Sequence, residues 1–217
     1  MSCALCETRK EKRFCPAVHG RICPQCCGEK REVTIECPSD CVYLQQARAN
    51  EKSRAAEELD REALFPDVEV DQHLLYQREH LLMGLSFALA RCARANHSLN
   101  DQDLIAALTA CGKTLETLVK SGLHYEQPAT NPVHQAVIAE VHQMLTEFRE
   151  VETKNLGYST LRDSEILKAI VFLVRLAHAR TSGRPKSRAY VDFLLAQFPE
   201  KTGVLAPQEA ESRIIVP

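Results

Sequence analysis

The sequence contains no tryptophan, and only 6% of its residues are aromatic. A surface that grips single-stranded nucleic acid by base stacking needs such side chains. A strong charge of either sign is also missing. The net charge is −2 at pH 7, so no global field draws the chain to nucleic acid or acidic lipid. Long apolar runs are absent too. The most apolar stretch, Ile166 to Ala177, is too short to cross a bilayer. The start, Met1-Ser2-Cys3, leads into no apolar segment of the kind a secretory leader requires. These absences predict an intracellular, cytoplasmic protein with no membrane partner, in a compartment where thiols stay reduced. Catalytic signatures are lacking as well: there is no P-loop, no Gly-x-Gly-x-x-Gly and no Gly-x-Ser-x-Gly. The Glu-x-x-His pairs of a di-iron bundle are missing from the helical region. The expectation is therefore a protein that is not an enzyme.

What the chain has in abundance is cysteine, ten residues in all. Eight of them fall between Cys3 and Cys41, in the order Cys3-x2-Cys6, Cys15, Cys23-x2-Cys26-Cys27, Cys37-x3-Cys41. Two cysteines two residues apart reach one zinc ion from a tight turn, and a closed zinc site takes four such ligands. Pro24, Gly28 and Pro38 supply turn chemistry around the later groups. Eight thiolates make two four-cysteine sites, so the implied cofactor is two Zn²⁺. An interleaved arrangement joins Cys3, Cys6, Cys23 and Cys26. The second site takes Cys15, Cys37, Cys41 and one more ligand, either Cys27 or His19. Cys27 is preferred, because a thiolate left outside a zinc cluster has no obvious role. Such zinc staples a segment too small to bury a core of its own. The remaining pair, Cys92 and Cys111, sits in helical patterns and reads as small buried apolar residues.

The ligand order Cys-x2-Cys, Cys15-x3-His19, Cys23-x2-Cys26, Cys37-x3-Cys41 resembles the cross-brace zinc fingers, the RING and B-box group. The resemblance covers about forty residues and lies in ligand order alone. Cys27 is extra, the last pair is x3 rather than x2, and the first gap is short for a RING. The resemblance implies a cross-braced two-zinc module and, as one alternative activity, that of a RING-like ubiquitin ligase. A second alternative comes from the basic residues Arg9, Lys10, Lys12, Arg13, Lys30 and Arg31, which could touch phosphate as a nucleic-acid-associated regulator. Residues 1–48 hold eight Lys/Arg against six Asp/Glu. Eight thiolates around two zinc ions turn that small excess negative, opposite to the usual DNA reader.

The rest of the chain reads as helical, giving a mostly α fold class. Residues 44–70 carry alternating charges and few large apolar positions, the pattern of a charged spacer helix and linker. Pro66 ends it. Residues 71–198 read as a helical bundle, with apolar stripes through Leu74 to Cys92, Leu104 to Leu118, Val137 to Val151, Ile166 to Ala177 and Tyr190 to Phe198. Residues 199–217 read as a loosely ordered tail, and residues 1–43 as the zinc-binding module. Residues 98–108 and 160–170 begin alike, Ser98-Leu99-Asn100-Asp101 beside Thr160-Leu161-Arg162-Asp163, as if a helix pair had been duplicated. Ser98 and Thr160 are the expected N-caps. His80 and His142 stand at equivalent offsets and could form an inward pair, though exposed histidines are the plainer reading. The functional expectation is a non-enzymatic zinc-binding adaptor or scaffold that binds a protein partner, with a homodimer as a further possibility.

Overall fold

A computed structural model describes residues 1–58, 64–125, 128 and 130–199 of the chain. The expected spacer therefore falls partly, and the expected tail almost wholly, outside the described residues. Within them the fold is mostly helical. Two short strands, β1 (Arg13–Cys15) and β2 (Gly20–Ile22), pair antiparallel, with Phe14 opposite Arg21. Eight helices follow: α1 (Pro24–Lys30), α2 (Val42–Glu58), α3 (Gln72–Gln77), α4 (Glu79–Ala95), α5 (Asp101–Ser121), α6 (Pro132–Leu156), α7 (Asp163–Arg180) and α8 (Ala189–Gln197). No helix among the described residues is long and apolar enough to cross a membrane.

The helix limits follow from local chemistry. Gly122 and Gly157 stop α5 and α6 in left-handed backbone, where glycine lacks the Cβ penalty. Pro132 opens α6 at a position whose N–H has no helical partner in any case. The N-caps of α5 and α7 are Asn100 and Arg162, two residues later than the expected Ser98 and Thr160. The side chain of Asn100 accepts from the N–H groups of Gln102 and Asp103. Ser98 instead bonds Asn96, and Thr160 bonds Glu152. The shift places the buried Leu99 and Leu161 just before each cap, where an apolar residue staples the entry to the first turn. The expected single helix through Leu74–Cys92 is divided at Arg78 into α3 and α4. Val151, expected on the core face of α6, is exposed, because the helix has by then reached the rim, where Glu152 meets Arg78. His80 and His142 are both exposed and form no inward pair.

Two apolar cores result. The large one joins α4 through α8, with Leu81, Leu85, Leu108, Ile166, Ile170 and Tyr190 at its centre. Here α5 lies along α7 and α4 along α6, so each helix of the similar pairs packs on its counterpart. The small core holds Cys3, Cys15, Ile22, Cys23, Cys26, Cys27 and Ile35. Polar contacts join the two. Glu32, 1% exposed, accepts from Arg48 Nη2 at 2.7 Å and from Ser182 Oγ at 2.9 Å. Arg48 also donates to Asp192 of α8 at 2.6 Å. The N-terminal half of α2 is thus tied to the bundle through Arg48. Arg184 donates to the carbonyls of Gly28 and Arg31, and the N–H of Lys186 to that of Glu32 at 2.8 Å.

Removing one partner of a buried ion pair leaves the other charge uncompensated, which costs about 3–5 kcal/mol. Arg48→Met should lower unfolding free energy by about that amount in a denaturant titration. A loss under about 1 kcal/mol, the scale of an exposed pair, would show that Glu32 and Asp192 find other partners. Gly112→Ala tests the main core separately, because its Cβ would meet the Phe65 ring at 2.7 Å. The overpacking should cost about 1–3 kcal/mol.

Candidate metal centre

The first turn of the chain is built to present sulfur. Cys3 N–H donates to the Arg9 carbonyl at 2.8 Å and Glu7 N–H to the Cys3 carbonyl at 2.8 Å. The loop between them closes with Glu7 in left-handed backbone, φ 56°. Ala4 N–H donates to the Arg21 carbonyl at 2.9 Å, which sets this loop against β2. From β2 the chain passes into α1, with Cys23 as N-cap and Pro24 in its first turn. The Cys23 sulfur accepts from Cys26 N–H at 3.4 Å, and the Cys3 sulfur from Cys23 N–H at 3.2 Å. The Cys3-x2-Cys6 turn and the start of α1 therefore face each other.

The sulfurs of Cys3, Cys6, Cys23 and Cys26 all lie within 4.8 Å of one another, the one such group among the described residues. Four thiolates at about 2.3 Å from a zinc ion would stand only slightly closer together. Three of the four are almost fully buried, and Cys6 is half-exposed. Their acidities diverge. Hydrogen bonding from Thr8 and from the Arg9 N–H pulls Cys6 down to about 5. The Cys26 N–H lowers Cys23, whereas burial pushes Cys26 up to about 12. Arg9 Nη1 lies 3.9 Å from both the Cys23 and Cys26 sulfurs. Its cationic head offsets part of the charge that four thiolates around a divalent ion would leave.

The other four cysteines are arranged differently. Cys15, at the end of β1, Cys27 in α1, and Cys37 and Cys41 before α2 all line one small cavity of about 10 Å³, room for a single water-sized sphere. Ile22, Ile35 and Tyr43 complete its wall. Burial raises Cys37, and the negative charges of Glu32, Cys15 and Cys41 act in the same direction. The Glu32 N–H opposes them by donating to the Cys37 sulfur. His19 is exposed, in left-handed backbone at φ 51°, and does not line this cavity.

The basic residues are divided in their use. Arg9 lies over sulfur, and Arg13 stacks on the Tyr43 ring, 4.5 Å from its centroid. Lys10 and Lys12 are exposed, and Lys30 and Arg31 are half-buried on α1 and just beyond it. No continuous basic stripe follows from these positions. Burial pushes Cys92 up to about 11 and Cys111 up to about 12, which makes both poor nucleophiles. Sequence reasoning did not identify Glu32, Arg48, Arg184 and Asp192 as partners. Each belongs to a charged, solvated-looking segment, and only the distance relations of the fold bring them together. No protein-family model matches this sequence, and no curated protein or solved structure is significantly similar to it.

Outer partners of metal ligands typically account for 10–100-fold in metal affinity. Arg9→Met should therefore weaken the tighter of the measured zinc affinities about tenfold in a competition titration with a chromogenic chelator. An unchanged affinity would mean that the Arg9 guanidinium only covers the sulfurs without acting on them.

Proposed function

We propose that this chain is a zinc-stabilised, non-catalytic interaction protein holding two zinc ions, each with four thiolates. The observation that carries the reading is the division of eight cysteines into a close, largely buried tetrad and a second set of four around one small cavity. Cys3, Cys6, Cys23 and Cys26 would hold the first ion; Cys15, Cys27, Cys37 and Cys41 would hold the second. Two filled tetrads leave no open coordination position of the kind catalytic zinc keeps for water. The interleaving ties residues 1–43 into one module, with α2 leading from it to the bundle of residues 71–198.

The partner in this reading is a protein. Phe14 is 56% exposed and Val42 60% exposed, large apolar side chains flanking the wall of the second cavity. Exposed apolar groups of this kind favour a protein surface over phosphate. The internal use of Arg9 and Arg13 takes two of the six basic candidates away from nucleic acid.

Elemental analysis should find two zinc ions per chain, falling to one in Cys27→Ser and staying at two in His19→Ala. One ion in the wild type would remove the second site from the reading. Phe14→Ser combined with Val42→Ser should keep both ions yet lose cross-linking to the protein that wild type captures from a native extract. Retention of duplex DNA at low salt, lost with rising salt as phosphate contacts are screened, would transfer the interaction to nucleic acid.

A further inference from the structure

A cleft of about 620 Å³ opens between the cysteine-rich module and the bundle, a size within the range of small-molecule sites, roughly 300–1,000 Å³. The segment from Glu36 to Ser39 forms one side. The turn before α5, the α7–α8 corner and two residues of α8, Asp192 and Leu195, form the other. Cys37 lines both this cleft and the small four-cysteine cavity. Pro38 and Leu195 contribute apolar surface, and most of the remaining lining is polar.

The charges in the cleft are unequally used. Lys186 Nζ donates to Glu36 Oε1 at 2.8 Å, and Arg48 to Asp192 Oδ2 at 2.6 Å. Both carboxylates of the cleft therefore have a hydrogen-bonded cation. Arg188 has no carboxylate in return. Its Nη1 donates to the carbonyls of His97 and Leu99, and it feels Asp192 only through space. Its Nε and Nη2 donate to nothing among the described residues. Asn100 stands on the same turn. Its Oδ1 caps α5, which leaves two Nδ2 donors without a partner among the described residues. The cleft thus holds more unused donors than acceptors, and the strongest of them is charged.

We propose that this cleft is a binding site for a small organic anion, a metabolite bearing a carboxylate or phosphate group. Arg188 and the Asn100 amide receive the oxyanion, and the body of the ligand lies between Pro38 and Leu195. The planar guanidinium fork matches the oxygen spacing of both anions. Two carbonyls already hold one end of that fork, so binding costs little further side-chain freedom. Glu36 and Asp192 do not repel such a ligand strongly, because Lys186 and Arg48 neutralise them. The site uses no metal, and it stands independently of the zinc reading.

The test is a titration of the full-length protein with citrate, adenosine monophosphate, inorganic phosphate and neutral adenosine, followed by ¹⁵N-resolved NMR. The Asn100 side-chain amide and the Arg188 Nε–H should shift and saturate with citrate or with adenosine monophosphate. That ligand should saturate at a concentration at least tenfold below inorganic phosphate, which lacks a body to reach Pro38 and Leu195. Saturation by citrate first assigns the carboxylate, and by adenosine monophosphate first the phosphate. Replacing Arg188 would release the turn it clamps, so Asn100→Asp carries the mutational arm. Aspartate caps a helix as well as asparagine does, so the thermal midpoint should stay within about 2 °C of wild type. The exchange of two donors for a negative charge should weaken binding about tenfold or more. The proposal is overturned if no anion moves these two signals by about 10 mM, a tenfold excess over a millimolar Kd. It is equally overturned if adenosine alone moves them as far, if phosphate binds as tightly as both organic anions, or if Asn100→Asp binds like wild type.

Discussion

The buried carboxylate of Glu32 is the constraint on which the relation between the two halves of the molecule depends. A carboxylate taken out of water must be compensated, because its desolvation costs several kcal/mol. Arg48 supplies the charge and Ser182 a hydroxyl donor. Arg48 is in turn shared with Asp192, whose pKa is raised by burial in spite of that partner. One carboxylate therefore fixes three elements at once: the loop after α1, the N-terminal half of α2 and the α7–α8 corner. The two apolar cores do not merge. The charged junction between them performs the joining that apolar packing performs within each.

The same device recurs across the bundle. Arg184 takes the carbonyls of Gly28 and Arg31, Arg175 those of Leu64, Phe65 and Val68, and Arg188 those of His97 and Leu99. Each arginine donates to carbonyls at a helix end or in a turn, beyond the reach of the regular helical ladder. Asp101 does the reverse. It is fully buried in the first turn of α5, and its carboxylate accepts from Ser187 Oγ and from the N–H groups of Tyr190 and Val191. It thereby caps α8 from another helix. Long-range side-chain capping of this kind lets short connections turn sharply while pairing the backbone groups at the start of α8.

These pairings explain what could be read in the residues beforehand and what could not. Helical stripes with Gly122, Pro132 and Gly183 as punctuation placed α5 through α8 within a few residues, because periodicity and breakers are local properties. The tetrad Cys3, Cys6, Cys23 and Cys26 was legible because the spacing of two x2 pairs is itself the chemistry. The caps were misplaced by two residues, since a serine or threonine is a good cap anywhere and the burial of Leu99 and Leu161 decided the register. Glu32, Arg48 and Asp192 could not be found at all: 144 residues separate Arg48 from Asp192. A charged residue in a polar segment looks solvated until the fold closes over it.

The two cysteine sets differ in what holds their surroundings. Around the first, the hydrogen bonds come from within the first 27 residues: turn N–H groups, the Arg9 guanidinium and the start of α1. It is a local structure, and the distances among its sulfurs reflect that. The second set spans Cys15 to Cys41, and the segment inside it, from the end of α1 to Glu36, is also held by Arg184, Lys186 and Arg48. Its cavity wall is shared with a cleft whose far side belongs to the bundle. The second set thus has a hydrogen-bonded route to α8 and the α7–α8 corner through Glu32 and Arg48.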